Sequence, residues 1–483
     1  MGDPTVTYRE GRFEGLMPLF MPSEGPPRST LSQVFRSRNF CLVAFFVIAI
    51  MTAACACAAA VAATAEYFRS SSSDTAQSSE EEAVAIPERS ARVAYQRLSE
   101  DRPRKLVFCF VNASLPSGSP RTFDVDNVSV SFCDALVYVA VGLDPEEFTI
   151  RLKNPADDEE AIQKLSKIKA AESTSRLDTY ACVGGEESDS ADFKSVIRSK
   201  KSRLTFIRKA AQWVRQRDLS GLVLYWKYPT EISRTNFSTL LNTMRIYFDK
   251  DKLRMTVVAP WNAVTRRQGY FVRSLFDRLD VVIVDTHRTV DSSTFPVTTC
   301  QSPVRAVFRA RYHGQVGLST VVDALTSSTT EHDVLLKVLF SVSLAGVSFT
   351  LKHPHLRNGR IGIKAVGPGK PFGHTNLTGM ASYYDVVETL LLNRSWTRFL
   401  HGYSRCVVAH THDQWVGFED RVSLRAKRPV LRRTRGVAVW DLNMDDFAGD
   451  FGSTWPLLRE VHDLVQSQNP YTVVTDTVSL RPR

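Results

Sequence analysis

The chain has 483 residues, of which 43% are hydrophobic and 10% aromatic, and its formal net charge is +10 at pH 7. This composition excludes a wholly disordered chain, because disordered segments are poor in apolar and aromatic residues. The moderate positive charge favours acidic partners, such as anionic glycans or membrane surfaces, over neutral ones.

An uncharged apolar segment of 26 residues occupies positions 40–65, after an N-terminal segment of 39 residues. About 20 apolar residues are enough to cross the hydrocarbon core of a bilayer as a helix. A cleaved signal peptide is the alternative, but its apolar region usually has only ~7–15 residues. The sequence therefore predicts a transmembrane signal-anchor helix at 40–65.

The charges on either side of this segment predict its orientation. Arg28, Arg36 and Arg38 precede it with no acid among them, whereas Glu66 and Asp74 follow it. Because positively charged flanks stay in the cytoplasm, we expect a single-pass type II membrane protein whose C-terminal domain is extracellular or luminal. That topology argues against nucleic acid as a partner.

Five Asn-x-Ser/Thr sequons lie after the apolar segment and none lies before it. A sequon marks a glycan acceptor on a secreted or exoplasmic domain, so this distribution agrees with the predicted topology. The candidate glycosylation sites are Asn112, Asn127, Asn236, Asn376 and Asn393.

The segments around the apolar helix have the composition of unfolded chain. Residues 1–39 are predicted to be a disordered cytoplasmic tail, and residues 66–103, rich in serine and glutamate, a flexible extracellular stalk. Residues 471–483 are expected to form a C-terminal tail. The folded domain is then predicted at 104–470.

Eight apolar runs alternate with helical patterns across this domain. Parallel strands buried on both faces have continuous apolar stretches, and a (β/α)8 TIM barrel needs eight of them. The gap between the last two runs is too long for one helix, so we expect an α+β insertion at about 348–420. The runs are Leu106–Val111, Ala135–Val141, Leu177–Val183, Gly221–Trp226, Arg254–Ala259, Val281–Val284, Leu336–Leu344 and Gly436–Trp440.

The fourth run carries the most specific motif. Residues 220–229 read SGLVLYWKYP, which resembles the glycoside hydrolase family 18 signature D-G-x-D-x-D-x-E-Y-P in its glycine, tyrosine and proline. Ser220, Val223, Tyr225 and Lys227 stand at the positions of the three aspartates and the glutamate. Further segments similar to the family are 181–185, 367–372, 383–385, 414–420 and 439–447.

The resemblance implies a chitinase-like barrel with a disulfide between Cys109 and Cys133. It also implies substrate-assisted hydrolysis in the family, in which the glutamate protonates the glycosidic oxygen and the last aspartate holds the substrate's acetamide. Here Lys227 and Tyr225 occupy those positions. His287 and Arg288 replace the tyrosine and aspartate of the sixth-strand segment. We therefore predict a degenerate site with no catalytic residues, no cofactor and no metal; the alternative is a glycosidase with a relocated acid.

Three aromatic residues are candidates for carbohydrate binding. Trp440 stands where the family has the tryptophan that forms the floor of the cleft, although a core residue closing the barrel is an equal alternative. Tyr225 and Trp261 are candidates for its walls. The resemblance thus predicts a non-catalytic chitinase-like membrane glycoprotein that binds an N-acetylglucosamine or chitin-type glycan, or that acts as an interaction protein.

The sequence alone does not decide the role of three smaller groups of residues. Six basic residues crowd positions 425–435, either as a solvated face or as a docking patch through which a scaffold binds anionic glycans, acidic lipids or proteins. Two His-x-His pairs, at 353–355 and 410–412, have no third ligand at a matching spacing. Cys182, Cys300 and Cys406 have no evident pairing, and Cys182 is expected to pack inside the barrel.

Overall fold

The computed structural model describes residues 104–112, 123–172, 177–227, 229–266, 269–287, 292–328, 334–354 and 360–467. The predicted cytoplasmic tail, transmembrane helix, stalk and C-terminal tail lie outside these residues. None of the helices in the described part of the chain is both long enough and apolar enough to cross a bilayer.

The described residues contain two sheets, one parallel and closed, the other antiparallel. The strands are β1 (Leu106–Asn112), β2 (Ala135–Asp144), β3 (Thr149–Arg151), β4 (Asp178–Gly184), β5 (Gly221–Tyr225), β6 (Arg254–Pro260), β7 (Val282–Asp285), β8 (Val338–Ser343), β9 (Gly346–Leu351), β10 (Ala365–Pro368), β11 (Met380–Ala381), β12 (Thr397–His401), β13 (Cys406–Thr411), β14 (Gln414–Phe418) and β15 (Gly436–Trp440).

Helices cover the outside of the parallel sheet and one face of the insertion. They are α1 (Pro155–Ala171), α2 (Asp189–Ile197), α3 (Lys200–Gln216), α4 (Glu231–Lys250), α5 (Trp261–Arg266), α6 (Val272–Arg278), α7 (Phe308–Tyr312), α8 (Leu318–Ser328), α9 (Tyr383–Leu392), α10 (Arg421–Leu431) and α11 (Pro456–Gln466).

The predicted TIM barrel is confirmed. Its strands follow the order β1-β15-β8-β7-β6-β5-β4-β2, and β2 pairs with β1 to close it. Each of the eight apolar runs overlaps one barrel strand, and most of the strands extend one to three residues beyond the end of their run. The seventh run starts too early, because its first two residues belong to a short 3-10 turn at Val334–Lys337 and β8 begins only at Val338.

Side chains of the barrel strands alternate between two cores. In β5, Leu222 and Leu224 face the helices, whereas Val223 and Tyr225 face the barrel interior. The glycine of the signature is required here, because a Cβ on Gly221 would lie 1.9 Å from the carbonyl oxygen of Arg254 on β6. This alternation places Tyr225 inside the barrel at the C-terminal end of its strand.

The antiparallel sheet lies between β8 and β15 in the chain. Its strand order is β10-β9-β14-β13-β12, and β11 pairs with β9. Because side chains alternate between the two faces of a strand, Val408 and Trp415 contribute to one apolar cluster, and Val407 and Val416 to the other. The insertion is therefore a sheet with its own small cores.

Two disulfides occur in the described residues. The predicted bond between Cys109 and Cys133 is confirmed, with the Cα atoms 5.9 Å apart. A second bond joins Cys300 to Cys406 on β13 and closes a loop of 106 residues. The sequence left these two cysteines without partners, and the structure pairs them. Cys182 is buried in the barrel interior, as predicted.

Removal of the second disulfide should destabilise the insertion. We expect Cys300→Ala/Cys406→Ala to lower the free energy of unfolding by about 2–4 kcal/mol, since the bond closes a long loop in the unfolded chain. Urea denaturation under non-reducing conditions measures the change. The variant Thr320→Ala/Thr326→Ala, at two exposed positions of α8, serves as a control, and an equal loss in both variants would contradict the expectation.

Candidate functional site

The C-terminal ends of β1, β2, β4, β5 and β15 surround a cavity of about 210 Å³. Active sites of TIM barrels lie at this end, where each strand is followed by a loop. The side chains that line it include Asn112, Tyr138, Asn154, Glu186, Tyr225 and Trp440. The cavity is smaller than the ~300–1,000 Å³ of pockets that enclose drug-sized ligands, so it suits one small ring rather than a chain of rings.

Trp440 is one of the residues that line this cavity, although it is only 1% exposed. Its ring stacks on Phe110 with 3.5 Å between the ring centroids, and Tyr225 contacts it edge-on at 5.9 Å. His287 lies 4.9 Å from it on another side. Trp440 is therefore a packed residue of the barrel core and a wall of the cavity at once.

Tyr225 spans the interior of the barrel between β5 and β7. Its hydroxyl donates a hydrogen bond to Oδ2 of Asp285, and both residues are buried. The ring also packs against the chain after β4, where Gly185 has φ +106° and a Cβ would lie 2.9 Å from the Tyr225 ring. Gly185, directly after β4, thus makes room for the tyrosine ring.

Asp285 is the centre of a buried polar cluster. His287 Nδ1 lies 3.2 Å from Asp285 Oδ1 and 2.7 Å from the hydroxyl of Ser341 on β8. The same hydroxyl accepts a 2.8 Å hydrogen bond from the backbone N–H of Thr286. The interior therefore holds a carboxylate on β7, a role that the sequence analysis did not assign; an acidic residue directly after the run Val281–Val284 was the available signal.

The remaining signature positions have different environments. Ser220 precedes β5 at the opposite end of the barrel, where its hydroxyl accepts a 3.1 Å hydrogen bond from the backbone of Thr179. Val223 is fully buried in the interior. Lys227 follows β5 and is partly exposed. Arg288 lies outside the described residues. The structure thus brings Tyr225 and His287 together, but separates Ser220 from them.

Polar side chains around the cavity are held in place by an ion pair and a hydrogen bond. Lys153 Nζ lies 2.8 Å from Oε1 of Glu186, and the Tyr138 hydroxyl donates a 2.6 Å hydrogen bond to Asp158. Burial, together with the adjacent Asp158 carboxylate, raises the pKa of Tyr138 well above its ordinary value. Because the hydroxyl stays protonated, it remains a donor to Asp158 and fixes the start of α1.

Trp261 does not line this cavity. It begins α5, is half-buried, and packs against the core between the barrel and its helices. Among the predicted glycosylation sites, Asn127, Asn376 and Asn393 are exposed, whereas Asn236 on α4 is half-buried and Asn112 belongs to the cavity wall.

The basic cluster at 425–435 differs from the docking patch considered from the sequence. Lys427 is fully buried and forms an ion pair with Glu419, and Arg425 Nε lies 2.8 Å from Oε1 of Glu460. In this cluster only Arg433 is fully exposed. Two of the six charges are therefore paired with carboxylates. In the described residues no three His, Cys, Asp or Glu side chains form a group that could hold a metal ion, and His355 lies outside them.

The family model for glycosyl hydrolases family 18 matches residues 107–445, which include all eight barrel strands except the first residue of β1. The chain belongs to family 18. Its relatives include an endochitinase of Manduca sexta, 24% identical over 397 residues, which cover 78% of this chain and 69% of the relative. Human chitinase-3-like protein 2 is 26% identical over 357 residues, covering 71% and 88% of the two chains.

Solved structures of family 18 members share the fold. The group IV chitinase of Ostrinia furnacalis has a TM-score of 0.68 and 24% identity, covering 75% of this chain and all of the other. Human YKL-39, described as a pseudo-chitinase with retained chitooligosaccharide binding, has a TM-score of 0.67 and 22% identity, covering 75% and 100%. The similar structures thus include a protein described as a chitinase and a protein described as a pseudo-chitinase.

Proposed function

We propose that the protein is a non-catalytic family 18 glycan-binding protein. The observation that carries this proposal is the state of Tyr225, which stands where the family has the aspartate that holds the acetamide. Its ring fills the barrel interior and its hydroxyl is bound by Asp285. A substrate that needs its acetamide held at this position meets an aromatic ring instead.

Lys227 supports the same proposal from the position of the catalytic acid. An ammonium group opposes the positive charge of the oxazolinium-like intermediate, while the loss of a general acid alone typically costs 10²–10⁴-fold in rate. Asp285 is the carboxylate that a relocated acid would require. However, it is 3% exposed and already accepts the Tyr225 hydroxyl, which argues against that role.

The cavity supports binding of a terminal N-acetylglucosamine residue rather than a long chitin chain. Its lining combines aromatic side chains with the amide of Asn154 and the charges of Lys153 and Glu186, and its size suits one ring. Sites of this kind combine an apolar wall with a few polar groups that orient the ligand. YKL-39 is described as a pseudo-chitinase that retains chitooligosaccharide binding. A protein with this fold can therefore keep glycan binding without catalysis.

We also propose that this domain is presented outside the cytosol on a single-pass type II anchor at 40–65. The apolar segment, the arginines before it and the one-sided sequons support this topology. Protease protection of sealed microsomes tests it. Digestion of the C-terminal domain before the membrane is permeabilised would contradict the proposal.

Calorimetry and a turnover assay on one sample test the proposed function. The purified full chain in nonionic detergent is titrated with N-acetylglucosamine, its trimer and its hexamer. We expect saturable binding with little gain beyond the monomer or dimer and no release of shorter oligomers. Turnover that Asp285→Asn abolishes would instead identify a relocated acid, and absence of both binding and turnover would overturn the glycan-binding function.

Blocking the cavity should weaken the binding. We expect Asn154→Trp to weaken binding of the trimer at least tenfold, because Asn154 is exposed on the rim, makes no side-chain cap for α1 and tolerates a larger residue. Ala156→Trp, exposed two residues later and outside the cavity, is the matched control. Equal affinities in the two variants would place the ligand elsewhere.

A further inference from the structure

A positively charged surface lies away from the cavity, on α7 and the adjoining edge of the insertion. Six exposed cationic residues form it, and we refer to them as the basic face. They are Arg305, Arg309, Arg311, Arg360, Lys364 and Arg405. None of them lines the cavity, and among the described residues no carboxylate oxygen lies within 4.0 Å of their charged nitrogens.

The basic face arises because three segments without acids meet in space. No Asp or Glu occurs in residues 292–322, 334–384 or 389–412. Val297 forms a β-bridge with Lys364, Arg309 Nη1 donates to the carbonyl of Gly362 at 3.4 Å, and the Val304 N–H donates to the carbonyl of Ser404 at 2.8 Å. The Cys300–Cys406 disulfide fixes the same junction. The positive charges are thus held together on a rigid scaffold.

Aromatic rings are interspersed with these cations. Phe308, Tyr312 and Tyr403 are 73%, 79% and 52% exposed. The guanidinium of Arg311 lies 5.9 Å from the Phe308 ring centre, and that of Arg305 lies 5.9 Å from the Tyr403 ring centre. Rings paired with arginine in this way do not form the continuous apolar face that an interfacial membrane helix needs. They do offer flat surfaces beside anion-binding groups.

We propose that the basic face binds a sulfated polysaccharide. Guanidinium groups form paired, charge-assisted hydrogen bonds with oxyanions, and a planar ring beside them can stack on a sugar ring. A cluster of cations without paired carboxylates attracts a polyanion over about one Debye length, ~8 Å at physiological ionic strength. This activity is independent of the cavity and of the proposed N-acetylglucosamine site.

The test uses the purified full chain in nonionic detergent and a heparin decasaccharide as the probe. We expect retention on immobilised heparin at 0.15 M salt, and a roughly tenfold loss of decasaccharide affinity in Arg309→Ser/Arg311→Ser/Arg405→Ser. The control Arg198→Ser/Lys201→Ser/Arg208→Ser removes the same charge from exposed positions on and beside α2 and α3. It should bind heparin like the unmodified chain.

Several results would overturn this proposal. They are flow-through at 0.15 M salt, an equal loss in the control, equal affinity for fully desulfated heparin, or binding only to vesicles that contain phosphatidylserine. Unchanged melting temperatures establish that the variants fold. The basic-face variant should still bind N-acetylglucosamine. This measurement distinguishes the two proposals, because heparin binding and N-acetylglucosamine binding can each be lost while the other is kept.

Discussion

The double substitution Tyr225→Asp/Lys227→Glu is expected to raise hydrolysis of N-acetylglucosamine oligomers at least ~10²-fold above the rate of the unmodified chain, the lower end of what general acid catalysis contributes. Glu at 227 supplies a proton donor after β5. Asp at 225 removes the ring that occupies the barrel interior and restores a carboxylate for the acetamide. Release of a fluorescent leaving group from a chitotriose conjugate measures the rate.

The single substitutions are the controls for this experiment. Lys227→Glu alone should gain much less, because the Tyr225 ring, buried against Gly185 and Trp440, still occupies the acetamide position. Tyr225→Asp places a second carboxylate near Asp285, and like charges in one site oppose ionisation. If this variant does not fold, Tyr225→Asn/Lys227→Glu avoids the added charge. Turnover by the unmodified chain would contradict the proposed loss of catalysis, whereas no gain in the double variant would show that Tyr225 and Lys227 are not what prevents hydrolysis.

The barrel was predictable from sequence because its strands are buried on both faces. A strand such as Gly221–Tyr225 lies between the interior and the helices, so every residue is apolar or small and the run stands out from its surroundings. The seventh run, Leu336–Leu344, shows the limit of this signal. Its first two residues, Leu336 and Lys337, belong to a 3-10 turn and do not pair in the sheet, so the start of the apolar run does not mark the start of the strand.

The cavity was less predictable, because its properties depend on contacts between distant strands. From the sequence, Trp440 could be either the floor of a sugar-binding cleft or a core residue. The structure shows that it packs in the core, against Phe110 and Tyr225, and also lines the cavity. Asp285 followed an ordinary apolar run, and its bond with Tyr225 joins residues 60 positions apart. The Cys300–Cys406 pairing is hidden for the same reason.

Lys427 illustrates how a charge pattern misleads. It stands among five arginines, which suggested an exposed face, yet its side chain is 0% exposed. Glu419, directly after β14, supplies its partner, and the Ser423 hydroxyl donates to the same carboxylate at 2.6 Å. Burial raises the pKa of Glu419 and lowers that of Lys427, because both charges are removed from water. The pair connects the end of the insertion to a barrel helix.

Lys427→Met is therefore expected to lower the free energy of unfolding by about 3–5 kcal/mol, since it leaves the Glu419 charge buried without its counter-ion. Glu419→Gln/Lys427→Met should recover most of this loss, because the amide still accepts from Ser423 and no charge remains buried. Urea denaturation of the three proteins at pH 7 measures both changes.

Lys194→Met, at an exposed position of α2, is the matched control and should change the stability by no more than ~0.5 kcal/mol. A loss of less than ~1 kcal/mol in Lys427→Met would contradict the expectation and show that the pair is hydrated. A double variant as unstable as the single one would show that packing, not charge, holds α10. The recovery separates these causes, because methionine fills similar volume in both variants while only the single one retains a buried carboxylate. A loss in Lys427→Met that is largely recovered in Glu419→Gln/Lys427→Met would show that an unpaired buried carboxylate, and not the lost lysine packing, causes the destabilisation.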